Sequence, residues 1–312
     1  MYKIEIYNSL KKNEWDDFVI KSKNGIFLFK RDYMDYHSDR FTDFSLMIYR
    51  KERLFALLPA NRDNDCFFSH QGLTFGGIIL NSKAMVADVV DIFELINQFL
   101  KENGIKTVVY KTIPHIYTKL PSEEDKYALF RTTNARLLAC NISSVIFQGN
   151  KLKFIESRKS GIRKAIKNNI EIVLSDDFAS FWDVLNSNLE SRYGAKPVHS
   201  LEEILLLKRR FPDNIKLYTA LKEGKVVGGT VLYITDNVVH TQYISANEDG
   251  KEYGALDCLF DYIINTEYAN FPIFDFGTSN EDNGHILNES LIFQKQGFGG
   301  RGVVYEIFHY TL

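Results

Sequence analysis

The sequence predicts a two-domain α/β protein, each domain a mixed, mostly antiparallel sheet flanked by helices. Three observations carry this. Segments of helical and strand period alternate along the chain. One order of elements (helices, three strands, a long helix, a strand, a helix, a strand) runs through it twice. A chain of 312 residues, 45% hydrophobic and 14% aromatic, has enough apolar surface for two cores. The boundary is expected near Asn150, giving domains 1–150 and 151–312, the second the expected catalytic one.

In the first half, NEWDDFVIKSK places Trp15, Phe18 and Val19 at helical spacing, and KRDYMDYHSD reads as a second short helix. Three strands follow at 44–50, 54–60 and 67–77. SKAMVADVVDIFELINQFLKENG reads as a long helix, with Ser82 as its N-cap and Gly104 as its stop. A strand at 105–114, a helix in EEDKYALFRT and a strand at 142–147 close this half. Ser69, His70, Gln71, His37 and Arg40 read as turn and surface polar groups or as a pocket lining.

The second half opens with KLKFIESRKSGIRKAIKNN, which carries seven cations against one acid. Helical spacing groups Lys159, Arg163 and Lys167 in a stripe and sets Ile155, Ile162 and Ile166 on the other side, with Ala165 close by. The stripe is either a solvated face or an anion-binding surface for the phosphates of tRNA, a nucleotide-linked precursor or a carrier protein. After a strand at 170–175 come helices in DFASFWDVLNSNLESR and SLEEILLLKRRF, the latter with Ser200 and Glu203 in a capping-box pattern. Strands at 215–222, 225–235 and 237–246, a long helix in YGALDCLFDYIINTEYA, a strand at 273–279, a short helix in ESLIFQKQG and a final strand complete the chain.

Net charge is −2, which speaks against a general nucleic-acid or membrane binder. Cys66, Cys140 and Cys258 are far apart and show no metal spacing, as in a reducing compartment. No apolar run has the length of a signal peptide or a bilayer span. The expectation is a soluble cytoplasmic protein without a metal.

In the second half, SRKSGIRKAIKNNIEIV, VVGGTVLYITDNVVHTQYISA, GALDCLFDYII, FDFGTSNED and IFQKQGFGG together resemble the GNAT acyltransferase fold, and the doubled order of elements resembles the tandem Fem-type (FemAB-like) aminoacyl and acyl transferases. The resemblance implies an acyl or aminoacyl group moved from an activated donor to an amine, such as one on a cell-envelope or nucleotide-sugar precursor. The donor is an acyl-coenzyme A, an acyl-carrier protein or an aminoacyl-tRNA. It also implies a donor-binding turn at the start of the long helix, where Gly254 and Ala255 remain in ANEDGKEYGALD. Glu248, Asp249 and Glu252 oppose a diphosphate there. A binding protein that kept the fold and lost the donor site is the alternative.

Amine acylation needs a base and an oxyanion donor. Strand alternation places His240, Gln242 and Ile244 on one face and Thr241, Tyr243 and Ser245 on the other. Asp275, between two phenylalanines, must be paired, because a lone buried carboxylate is costly. Asp275 or His240 is the candidate base and Tyr243 the candidate acid; the alternative is a structural pair bonded to each other. Candidate substrate-binding groups are Arg192, Tyr193, Lys196 and His199 in the inter-helix loop, with Gln242, Thr278, Ser279 and Lys295 around the strands.

Overall fold

The computed structural model describes residues 2–312, apart from the side chains of Arg192 and Tyr193. Two compact units divide the chain, one of residues 1–142, 280–286 and 304–312 and the other of 143–279 and 287–303.

In the first unit, β1 (Tyr2–Ile6) is a strand without sequence warning. Helix α1 (Lys12–Lys21) buries Trp15, Phe18 and Val19, as their spacing predicts. A short α2 (Arg31–Met34) precedes β2 (Thr42–Asp43), β3 (Leu46–Arg50), β4 (Arg53–Leu58), β5 (Asn61–Asp63), β6 (Cys66–Phe68) and β7 (Ile79–Leu80). The strand expected at 67–77 is therefore mostly turn, and Ser69, His70 and His37 are buried rather than surface groups. Helix α3 (Val86–Glu102) follows Met85 rather than Ser82, and its Asp88 carboxylate accepts the Met85 N–H at 3.0 Å. Its apolar stripe Val89, Ile92, Phe93, Ile96 and Leu100 is buried. Then come β8 (Thr107–Lys111), α4 (Glu124–Thr132) and β9 (Arg136–Phe147).

The second unit begins within β9. It contains α5 (Glu156–Lys167), β10 (Glu171–Ser175), α6 (Phe178–Tyr193), α7 (Leu201–Arg210), β11 (Ile215–Lys222), β12 (Lys225–Ile234), β13 (Val238–Ala246), α8 (Glu248–Tyr253), α9 (Ala255–Tyr262), β14 (Ile273–Thr278) and α10 (Glu289–Gly297). Two-residue strands β15 (Asn280–Glu281) and β16 (Ile286–Leu287) lie between β14 and α10, and β17 (Arg301–Thr311) ends the chain. The strand order in this unit is β10-β11-β12-β13-β14-β9, antiparallel except for the parallel pair β13–β14. Ser200 caps α7 through Glu203 N–H at 3.1 Å, and Glu203 returns the bond to Ser200 N–H, as predicted.

The long helix expected from Tyr253 is broken at Gly254, whose φ of +74° is left-handed. Its end, Ile263–Glu267, is a π-helical turn. Leu259, Phe260, Ile263 and Ile264 pack against Leu232, Val239, Phe274 and Phe276 to form the core below β13 and β14.

Helix α5 keeps its predicted faces only in part. Ala165 is its buried residue, whereas Ile166 is 64% exposed and Ile155 also faces solvent. Small residues decide this: a Cβ on Gly161 would overlap the Asp257 carboxylate at 1.7 Å, and one on Gly254 would meet Gly161 O at 2.5 Å. Close backbone approach with α9 selects the Gly161–Ala165 face, and Arg158 closes it with a 2.7 Å ion pair to Asp257. Ile155 and Ile166 remain outside, beside the cations, while Ile162 packs against the core as expected.

Candidate active site

The site is built from the way β13 and β14 part. They pair only from Val238–Ile273 to His240–Asp275, although β13 runs on to Ala246 and β14 to Thr278. Both strands bend at the parting. β13 carries an extra residue against β12, because Thr241 faces Leu232 and Tyr243 faces Val231, leaving Gln242 unmatched. β14 shifts register against β9 between Asp275 and Thr278, where Gly277 adopts φ +71°. A bulge increases local twist and re-aims side chains. The inserted Gln242 reverses the expected alternation, so Tyr243 shares the face of His240 rather than opposing it.

At the crotch, Asp275 is fully buried. It accepts hydrogen bonds from the Ser143 hydroxyl, from Gly277 N–H at 2.9 Å and from His240 Nδ1 at 2.9 Å. A carboxylate only accepts, so His240 Nδ1 carries a proton in this bond. His240 packs on Gly277, where an added Cβ would stand 3.2 Å from its Cε1. Asp275 thus holds the ring. His240 and Asp275 are bonded to each other, as the structural alternative expected.

Lys295, from α10, is 6% exposed and donates to Gly277 O at 3.0 Å and Thr278 O at 2.7 Å. Burial pulls its ammonium down to about 8, against the attraction of Asp275. A lysine ammonium has three N–H groups, and these two carbonyls engage two of them.

Tyr243 is paired with His199. Its hydroxyl lies 2.6 Å from His199 Nδ1 and accepts the His199 backbone N–H at 3.1 Å. Burial is the main reason its phenol is pushed up to about 12, so it keeps its proton at neutral pH.

Beyond the crotch the fork opens into a cavity of ≈ 310 Å³. Ile244, Leu256, Phe260, Phe276, Leu291 and Phe298 supply most of its wall, and Asn188, Gln294, Lys251 and Lys295 its polar groups. Apolar walls with a few placed polar groups are the usual make-up of a ligand site. Apart from Lys295, none of these residues was a site candidate from sequence, since apolar positions read as core. Ser143 was also missed, because only the fold brings it to Asp275.

The remaining predicted residues divide. Gln242 is the bulged residue, and Ser279 is buried at 1% exposure beside Thr278 at the tip of β14. Lys196, Lys159, Arg163 and Lys167 are exposed, and Arg163 pairs with Glu156 at 2.6 Å. Ala255 is fully buried and Gly254 packs on α5, so neither lines the cavity. The Arg192 and Tyr193 side chains lie outside the described residues. At the end of β13, Asn247 Oδ1 accepts Gly250 N–H at 2.9 Å, with Glu248 and Asp249 in the same first turn of α8. Among the described residues no group of His, Cys, Asp or Glu is placed to hold a metal, and no helix is long and apolar enough to cross a membrane.

Comparison with known proteins points the same way. Residues 156–283 match the family model of the acetyltransferase (GNAT) domain. No curated protein matches the chain in sequence. Among solved structures, FemX superposes with a TM-score of 0.69 at 9% identity, over 99% of this chain and 97% of that one. L-PGS from Bacillus licheniformis gives 0.63 at 11% identity, over 98% and 93%. A tandem GNAT protein from the clavulanic acid biosynthesis pathway gives 0.52 at 8% identity, over 100% and 98%. At these identities the likeness is one of fold.

Proposed function

We infer that this chain, an acyltransferase with a GNAT domain at residues 156–283 and a tandem, Fem-like fold, transfers an acyl or aminoacyl group from an activated donor to an amine at the fork of β13 and β14. The observation that carries the reading is the parting of the two strands immediately after His240–Asp275, with the cavity behind it. A fork of this kind admits an extended donor between two strand edges and brings its carbonyl past a base.

The chemistry then assigns roles. A free amine is mostly protonated at neutral pH, so the acceptor must reach the fork neutral or lose a proton there. His240 Nε2 takes the proton released as nitrogen attacks the donor carbonyl, and Asp275 holds the tautomer and steadies the imidazolium. The edge of β13 past His240 is no longer spent on β14 and offers backbone N–H groups to the tetrahedral oxygen. The Lys295 ammonium adds positive charge at the same place. Collapse breaks the bond from carbon to the leaving sulfur or oxygen, and Tyr243, which keeps its proton, supplies the acid. In this reading Gln242, Thr278, Ser279, Lys196 and His199 orient the acceptor.

The test is product detection by mass spectrometry, with an amine panel offered against three donor types: acyl-coenzyme A, acyl-carrier protein and aminoacyl-tRNA. A new amide from any of them supports the reading. Hydrolysis alone, or no reaction from all three, favours a binding protein on an acyltransferase fold.

A further inference from the structure

We propose that the donor is presented on the phosphopantetheine arm of an acidic carrier protein, which docks on a basic groove between the start of α5 and the end of α9. This rests on the acyl-transfer reading above and names its donor.

The cavity speaks first. Its wall is apolar, but it holds one buried acceptor without a partner among the described residues, Asn188 Oδ1. It also holds the Lys295 ammonium, two of whose N–H groups go to Gly277 O and Thr278 O. An unpaired buried acceptor is costly unless a ligand satisfies it. A plain hydrocarbon chain would leave Asn188 unpaired. A pantetheine arm carries two amides on an aliphatic chain, so it supplies an N–H for Asn188 and a carbonyl for Lys295 while burying its methylenes against Leu256, Phe260 and Phe298.

The end of β13 speaks second. Free coenzyme A brings a diphosphate and a further phosphate to the mouth of such a site. Here Asn247 already occupies the Gly250 N–H, Glu248 and Asp249 stand in the first turn of α8, and Lys251 is taken by Glu248 at 2.6 Å. A carrier-borne arm ends in a single phosphodiester, so it brings less negative charge to these carboxylates.

The groove supplies the docking face. It measures ≈ 320 Å³ and is lined by Lys151, Lys153 and Lys159 over Leu152, Phe154 and Ile162, with Asp261 and Asn265 on its far wall. Lys151 is held by Asn265 at 2.6 Å, and no ion pair among the described residues engages Lys153 or Lys159. The exposed Leu152, Ile155 and Ile166 continue the apolar strip beside Arg163 and Lys167. Cations flanking exposed aliphatic side chains complement an acidic amphipathic helix. RNA fits less well: the ring in this groove, Phe154, is 8% exposed and offers no stacking face, and the whole chain is net −2. The groove adjoins the cavity wall, because Ile155 N–H bonds Gly297 O at the end of α10, the helix that contributes Leu291, Gln294 and Lys295. In the transfer, the arm's thioester C–S bond breaks as the C–N bond forms, and the carrier leaves as its thiol with one proton.

The experiment is a fluorescence-anisotropy titration of the full-length protein with an acyl-carrier protein in its pantetheinylated and unmodified forms, and with coenzyme A as competitor. A Lys153→Glu/Lys159→Glu variant is titrated alongside, its fold checked by thermal melting. The pantetheinylated carrier should bind at least about tenfold tighter than coenzyme A. The double variant should lose roughly tenfold or more of that affinity, and added salt should weaken the wild-type complex. Equal affinity for coenzyme A, or charge reversal without effect, overturns the proposal. So does a charged tRNA that binds while the carrier does not. Transfer from an S-acyl-N-acetylcysteamine thioester, which has neither phosphate nor carrier, is measured in parallel. If that reaction proceeds while carrier binding fails, the donor assignment is wrong and the acyl-transfer reading stands; if it too is absent with every amine tried, the reading itself falls.

Discussion

Burial leaves the Lys295 ammonium at about 8, where an exposed lysine titrates near 10.4. Below about 8 the folded and unfolded chains both carry this charge. Between about 8 and 10.4 only the unfolded chain holds the proton, so the stability contributed by this group rises with pH across that window. Its help to an oxyanion moves the other way and is lost as pH rises through about 8. Transfer measured as kcat/KM should therefore decline above about pH 8. In Lys295→Arg, where the charge persists, the decline should move up by roughly one unit or more. An unchanged alkaline limb in that variant would assign the titration to another group. Asp275→Asn replaces an accepting oxygen by an amide N–H₂ that confronts existing donors. It should lower kcat by about a hundredfold or more and cost about 1–3 kcal/mol in denaturant unfolding. An acid between two phenylalanines was legible as a paired group because an unpaired one would be too costly. Its partner Ser143, 132 residues away in sequence, was not.

At the scale of elements, alternation in β13 was readable up to Thr241 and wrong beyond it. Nothing in HTQYIS announces that Gln242 is surplus to the ladder with β12. Deleting Gln242 should restore strict alternation with Tyr243 still on the face of His240, while removing the local twist where β13 parts from β14. Sheet content by circular dichroism should persist while transfer falls about a hundredfold or more; full activity in the deletion would remove the bulge from the mechanism. Helix α5 shows a different limit. Its periodicity correctly marked an amphipathic helix, but its packing face is chosen by Gly161, which has no side chain to register on a hydrophobic scale. Gly254→Ala tests that contact. Its left-handed φ and the 2.5 Å approach to Gly161 O both penalise a methyl group. Urea unfolding should show a loss of roughly 2 kcal/mol or more, whereas an unchanged midpoint would mean that α5 and α9 have room to separate.

For the whole molecule, the class and the doubled order of elements were legible because both follow from periodicities of 3.6 and 2. The path of the chain between units was not. β9 and β17 each leave one unit and enter the other within a single strand, and no composition shift marks the change. Residues 143–147 belong to the second unit, and there Phe147, Ile146 and Val145 pair with β14 through Asp275. A fragment of residues 151–312 thus exposes the edge of β14 and removes the Ser143 hydroxyl from Asp275. It should lack a cooperative melt, and a fragment starting at 143 should be the more stable of the two. Equal stability would show that this strand is dispensable.

The most direct measurement is the single-turnover rate of amide formation by the wild-type protein and by His240→Gln, with each donor that supports turnover. Thermal melting should show the two folds to be alike. If the parting of β13 and β14 is the site of transfer and His240 its base, the variant should be slower by about a hundredfold or more while donor affinity is unchanged. A His240→Gln protein that forms amide at the wild-type rate would contradict the assignment and place the chemistry elsewhere in the chain.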